Sequence, residues 1–164
     1  MKIKETIDLT LKKLKKKKKL KKIVGWREWV QLPDLTSQKI KAKIDTGART
    51  SAIHAEDIVI FRRGGKKWAY FSILPKQKNP HKTKTLLMEV VEKRKVRSSV
   101  GHETVRPVVK TLLKIGNEEF EIELTLVNRD IMGFRMLIGR TALRPRFLVD
   151  PNKSFLSDKE QSQE

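Results

Sequence analysis

The chain has no cysteine. That removes disulfides, cysteine-based zinc sites and a thiol nucleophile together, and it fits a reducing interior. Long apolar runs are missing too. A membrane-spanning helix needs roughly 20 apolar residues, and none occurs, so neither a span nor a secretory leader is expected. Aromatics make up only 6% of the residues. This is too sparse for the interleaving used by single-strand nucleic-acid platforms, so Trp26, Trp29 and Trp68 are read as core residues. There is no His-Glu-x-x-His, and His54, His81 and His102 have no metal-ligand spacing. There is no Gly-x-Ser-x-Gly to hold a serine nucleophile. Gly64-Gly65 lacks the Lys-Ser/Thr and helix of a phosphate loop. No metal and no cofactor is expected.

Acidic residues are also scarce. Nineteen Asp and Glu face 38 Lys and Arg, for a net charge of +19 in 164 residues. Eleven lysines fall in residues 1–22 against Glu5 and Asp8, so that segment carries +9 and the rest +10. Both parts favour polyanions: RNA, anionic lipid or an acidic peptide. Ile3, Ile7, Leu11 and Leu14 lie near helical spacing, while the Lys15–Lys19 block repels itself. Residues 1–22 are therefore read as a basic appendage, disordered or an amphipathic helix, that contacts a polyanion. Residues 23–151 are read as one domain and 152–164 as a polar C-terminal tail.

Within the domain the signals are those of strands. Gly25–Val30 is an aromatic-rich strand that turns at Pro33-Asp34. Ile58–Phe61 and Trp68–Leu74 flank Gly64-Gly65, a hairpin signal. Residues 75–85 read as a loop. Leu86–Val91 is a strand, and Val96–Val109 forms two extended arms around Gly101. Thr111–Ile115 and Glu119–Val127 are joined through Gly116-Asn117. Met136–Ile138 and Phe147–Val149 are short strands. Many short strands at close spacing indicate an all-β barrel or sandwich.

One stretch concentrates the chemistry. Ile40, Ala42 and Ile44 alternate with Lys39, Lys41 and Lys43, the period of a strand with one buried face. It runs directly into Asp45-Thr46-Gly47-Ala48. A carboxylate at the end of a rigid strand, followed by a glycine that frees the turn, is a good mount for a catalytic acid. The bland alternative is an ordinary Asp-Thr-Gly turn.

Context decides between them. Asp45-Thr46-Gly47-Ala48, the Gly101 hairpin and the late Leu137-Ile138-Gly139-Arg140 run together resemble the retropepsin-like aspartic proteases. Gly25-Trp26-Arg27-Glu28-Trp29-Val30 with Leu32-Pro33, Lys41–Ala52 and Met136–Arg140 resemble one bacterial branch. That branch was historically labelled an ATP-dependent zinc protease and is associated with glutamate ligases of the ATP-grasp type. No motif here supports the zinc or the ATP, so metal- and ATP-independent action is expected.

The resemblance implies a closed β-barrel protomer with one Asp-Thr-Gly per chain and at most a short helix near the C-terminus. It implies a cytoplasmic homodimer. Aspartic protease chemistry needs two carboxylates sharing one proton, because like charges about 3 Å apart cannot both ionise. A two-fold axis would supply the second Asp45. Thr46, Gly47 and Ala48 would support the catalytic loop. Ser98, Ser99, Val100 and Gly101 would form a flap, and Gly139 and Arg140 would be structural. The family commonly has an Asp where Arg49 stands, paired with the late Arg. Arg140 then needs another brace, for which Glu28 and Asp57 are candidates. Arg49, Arg97, His102 and Arg106 become candidates for binding an acidic substrate. The branch resemblance implies trimming of glutamate tails on a ribosomal protein. Two rivals stand beside this: a general endopeptidase of non-acidic peptides, and a non-enzymatic basic barrel that binds RNA or the ribosome.

Overall fold

The computed structural model of the chain describes residues 2–7, 20–75, 83–98, 100–128 and 133–160, side chains of 159 and 160 excepted. Residues 2–7 are helical. The Lys15–Lys19 block, Ser99 and His81 lie outside the described residues.

Twelve strands follow in order: β1 Lys22–Gly25, β2 Arg27–Leu32, β3 Thr36–Ile44, β4 Ser51–His54, β5 Glu56–Arg63 and β6 Lys66–Ile73, then β7 Lys84–Glu89, β8 Glu92–Arg97, β9 Glu103–Ile115, β10 Glu118–Val127, β11 Met136–Ile138 and β12 Phe147–Asp150. They form three sheets. The largest runs β10-β4-β11-β3-β2-β9-β8, and β9 also pairs with β10. A second sheet holds β5-β6-β7, and a third pairs β1 with β12 in parallel. The fold is mostly β. No helix among the described residues is long and apolar enough to cross a membrane.

The alternation in β3 survives intact: Ile40, Ala42 and Ile44 are buried and Lys39, Lys41 and Lys43, which alternate with them, are not. In β10, Phe120, Ile122, Leu124 and Leu126 face the core. Thr125 and Val127 are buried as well, because β4 lies parallel along this end of the strand. Strand β4 itself is buried on both faces, as strands with parallel neighbours commonly are. Sequence pattern splits β9 into a hairpin arm and a separate strand. In fact it is one strand of 13 residues. Pro107 does not break it, because pairing with β10 starts only at Val108 and Pro107 has a ladder partner on one side only.

Two expectations need correction. First, the stretch read as a polar C-terminal tail, 152–164, is anchored to the domain at Phe155, Leu156 and Ser157. Glu28 on β2 is fully buried. Its carboxylate takes the N–H groups of Gly25, Leu156 and Ser157 and the Ser157 hydroxyl, at 2.6–3.1 Å. Four donors compensate a buried charge that would otherwise be very costly. Phe155 stacks on Trp29 at 5.6 Å between ring centres, and a short helix, Leu156–Glu160, follows. Second, none of the three tryptophans belongs to the core cluster. Trp26 meets Phe134 edge-on at 5.9 Å, and the Arg27 guanidinium lies over the Trp26 ring, 4.7 Å from its centre. Trp68 lies on β6 with its indole N–H donating to the Arg63 carbonyl at 3.3 Å.

Candidate active site

Asp45 stands at the point where β3 ends. Strand β11 is inserted between β3 and β4, parallel to the first and antiparallel to the second. The Asp45 N–H donates to the Ile138 carbonyl at 2.9 Å, extending that parallel pairing by one residue. The carboxylate is partly buried. Its Oδ1 accepts the N–H groups of Gly47 and Ala48 at 3.0 and 3.1 Å. Oδ2 takes no hydrogen bond among the described residues. The carboxylate is thus held by its own turn through one oxygen.

The turn is fastened from outside as well. Arg140 Nη1 donates to the carbonyls of Thr46 and Gly47 at 3.0 and 2.9 Å. The N–H groups of Arg140 and Thr141 donate to the carbonyls of Ala48 and Arg49 at 2.8 and 3.1 Å. Gly139 sits between, its N–H on the Ser51 hydroxyl at 3.1 Å. A Cβ at Gly139 would lie 2.5 Å from the Thr50 carbonyl carbon, so only glycine allows this approach. Neither Glu28 nor Asp57 braces Arg140: Glu28 is spent on the C-terminal segment, and backbone carbonyls of the Asp45 turn take the acid's place. Sequence reasoning missed Ser51 and Thr125. Thr125 donates to the Ser51 carbonyl at 3.1 Å, fixing the residue that receives Gly139. The available signal was two hydroxyl residues set among apolar ones in segments reading as buried strands. Thr46 is exposed and contributes its carbonyl.

The proposed flap is a hairpin of β8 and β9, in register from Glu92↔Val108 to Arg97↔Glu103. At its tip Gly101 has φ +86°, a backbone region that suits glycine. Its N–H donates to the Ser98 carbonyl, the Ser98 N–H donates to the His102 carbonyl, both at 2.9 Å, and the His102 N–H reaches the Ser98 hydroxyl at 3.1 Å. Arg97 pairs with Glu103 at 3.0 Å, and Arg106 donates to the Thr104 hydroxyl at 3.0 Å. Val100 and His102 are exposed. Lower down, Arg94 reaches Glu92 and Glu123, the latter at 2.8 Å, tying β8 across β9 to β10. The hydrogen bond to Glu92 foremost raises the Arg94 pKa, with Glu123 adding to it and burial opposing. The expected site residues therefore divide. Asp45–Arg49, Gly139 and Arg140 form one connected constellation. Ser98, Val100–His102, Arg97 and Arg106 share the separate hairpin.

Residues 23–160 match the model of the RimB-like family, described as retropepsin-like aspartic endopeptidase RimB. A protein of Desulfotalea psychrophila named "Probable alpha-L-glutamate ligase" is 43% identical over 131 residues, covering 80% of this chain and 28% of that protein. One of Parasynechococcus marenigrum with the same name is 44% identical over 142 residues, covering 86% and 30%. The chain thus spans less than a third of the length of these relatives. A crystal structure of a Legionella pneumophila protein of unknown function superposes with a TM-score of 0.67 at 27% identity, covering 83% of this chain and 98% of that one. The chain belongs to the RimB-like family of retropepsin-like aspartic endopeptidases.

Proposed function

We propose that the protein is a peptidase acting in the cytoplasm as a homodimer, with one Asp45 from each subunit at the two-fold axis. The observation that carries this is the Asp45 carboxylate, tied through Oδ1 to Gly47 and Ala48 while Oδ2 has no partner among the described residues. In the pair, one carboxylate is ionised and the other protonated. The ionised one takes a proton from a bound water as that water attacks the peptide carbonyl carbon. The protonated one gives its proton to the carbonyl oxygen, producing a neutral tetrahedral diol. Collapse of the diol breaks the C–N bond and delivers a proton to the leaving amine. The ring of pairings from β10 through β4, β11, β3, β2 and β9 back to β10 supports a closed-barrel protomer. The Gly101 hairpin acts as the flap that excludes water. No metal or nucleotide takes part.

The substrate we favour is a glutamate-rich peptide, specifically a glutamate tail on a ribosomal protein. Two things support it. Relatives containing a segment like this chain carry the name of a glutamate ligase, so a hydrolase beside such a ligase would act on the same tails. Arg49 is exposed on the pinned turn and its guanidinium has no ion pair among the described residues. A planar guanidinium suits a carboxylate in bidentate geometry.

Mixing tests the shared site. Wild type is combined with an Asp45→Asn chain, the subunits are allowed to exchange, and hydrolysis of a glutamate-extended peptide is followed by mass spectrometry. At equal amounts a site built from two subunits retains about one quarter of the activity, whereas a site within one chain retains about half. The second result would refute the dimeric site.

A further inference from the structure

The β5-β6-β7 sheet is separate from the sheet that carries Asp45, and the peptidase reading gives its outer face no task. On its inner face Ile58, Ile60, Ala69, Phe71, Leu86 and Met88 pack on the core. The outer face is not polar, as a solvated sheet face would be. Val59, Tyr70 and Leu87 are cross-strand neighbours in one row, and Phe61 and Trp68 in the next. Four of these are well exposed: Val59 55%, Phe61 37%, Tyr70 47% and Leu87 50%. Phe61, Trp68 and Leu87 line an open recess of about 510 Å³ with Arg63, Gly64 and Lys66, within the size range of small-ligand sites.

Charge is arranged around the rings. Arg63 and Lys66 flank the Gly64-Gly65 turn on the ring face, while Arg62 and Lys67, one position along, fall on the opposite face by the strand alternation. Glu56 and Asp57 lie at the far end of β5. In the row of the rings the acid is Glu89, which is occupied by Lys66 at 2.8 Å. That pair and the Trp68–Arg63 hydrogen bond hold the edge in place before any ligand arrives.

We propose that the outer face of β5-β6-β7 binds single-stranded RNA, with bases stacked on Phe61, Trp68 and Tyr70 and phosphates drawn to the cations of the Gly64-Gly65 turn. Trp68 and Tyr70, two residues apart on β6, stand about 7 Å apart along the strand, so each can take its own base, with Phe61 beside Trp68 in the same row. An acidic peptide would use the cations and not the rings. An apolar protein surface would use the rings and be repelled by nothing, but gains nothing from Arg63 and Lys66. Single-stranded RNA uses both, and a chain of net charge +19 attracts it over distance.

The test uses the full chain and three fluorescent 12-mers of equal phosphate count: a mixed-sequence unstructured RNA, an abasic strand and an RNA duplex. Fluorescence anisotropy is read at several salt concentrations. Stacking predicts that the single strand binds about tenfold more tightly than the abasic strand or the duplex. A Phe61→Leu/Tyr70→Leu chain keeps the apolar surface and loses the π faces. It should lose about tenfold on the single strand and less than twofold on the abasic one. Tyr70→Phe should bind like wild type. Equal affinity for the single and abasic strands would mean binding by charge alone, and would overturn the proposal without recourse to any variant. So would an unchanged double variant, or no RNA binding at all, which would leave this face to a protein partner.

Discussion

Two turns in this molecule join strands and carry expected site residues, yet they are built in opposite ways. The Asp45 turn is fixed by residues far away in the chain. Ile138 holds its entry, Arg140 and Thr141 hold four of its carbonyls, and Gly139 packs against Thr50 so closely that no side chain fits. The Gly101 tip is held by itself: its hydrogen bonds run among Ser98, Gly101 and His102. An added Cβ at Gly101 would meet nothing within 4 Å. Long-range contacts make the first turn part of the global fold, while local ones leave the second free to open by itself. On the proposed reading the first turn is the mount for the carboxylate and the second the tip of the cover.

The largest expected effect is chemical and leaves both turns standing. Asp45→Asn keeps the shape and the acceptor oxygen for Gly47 and Ala48 but removes the acid-base group. Hydrolysis should fall by about 10²- to 10⁴-fold with the melting temperature nearly unchanged. A folded, pure variant that retained activity would sink the assignment of Asp45.

Next comes Gly139→Ala. The φ of −88° is ordinary for any residue, so the effect is steric alone. The obstacle is Thr50 backbone at 2.5–2.9 Å, which cannot rotate away as a flexible side chain would. The expected loss is about 1–3 kcal/mol of stability or more, read by denaturant titration, with activity falling because β11 and the Asp45 turn are pushed apart. A neutral Gly139→Ala would show that this turn is less fixed than its contacts say.

How much of this could be read in the sequence depends on what carried each contact. The β3 alternation, the Asp-Thr-Gly and the late Gly-Arg are patterns of side chains, and they marked two stretches that the fold does bring together. The partners of Arg140 are backbone carbonyls, which leave no mark in the sequence. That is why Glu28 and Asp57 looked like candidates. Glu28 instead binds N–H groups about 128 positions away, again backbone. The C-terminal segment therefore read as a tail although Phe155 and Ser157 anchor it. The aromatic face of β5-β6-β7 was hidden for another reason. Each strand supplies one or two rings or none, and only the register brings Phe61 beside Trp68 and Val59 beside Tyr70.

The cations of the two turns should differ in the same sense as the turns. Arg49 projects from backbone that Thr141 holds, whereas Arg97 is exposed and already paired with Glu103. Arg49→Ala should lower kcat/KM on glutamate-rich peptides by about tenfold to a hundredfold relative to matched glutamine peptides. Arg97→Ala should cost little, as exposed pairs do. Equal losses on the two peptides for Arg49→Ala would make it a brace and not a contact with substrate.

The smallest effect is expected at Gly101, where the residue change is the same as at Gly139. Here space is free and the strain is conformational: alanine at φ +86° is disfavoured by about 1–2 kcal/mol. Because the hydrogen bonds of the tip are local, the hairpin is expected to relax by changing its own turn, so that most of that strain never reaches the global unfolding equilibrium. The melting temperature should move by no more than about 2–4 °C. The effect should show instead in the local protection of the Ser98 and Gly101 amides by hydrogen exchange, and in a severalfold change of KM if the tip covers substrate. Should Gly101→Ala cost as much global stability as Gly139→Ala, the tip would be tied to the body by contacts as strong as those of the Asp45 turn, and its role as a moving cover would fall.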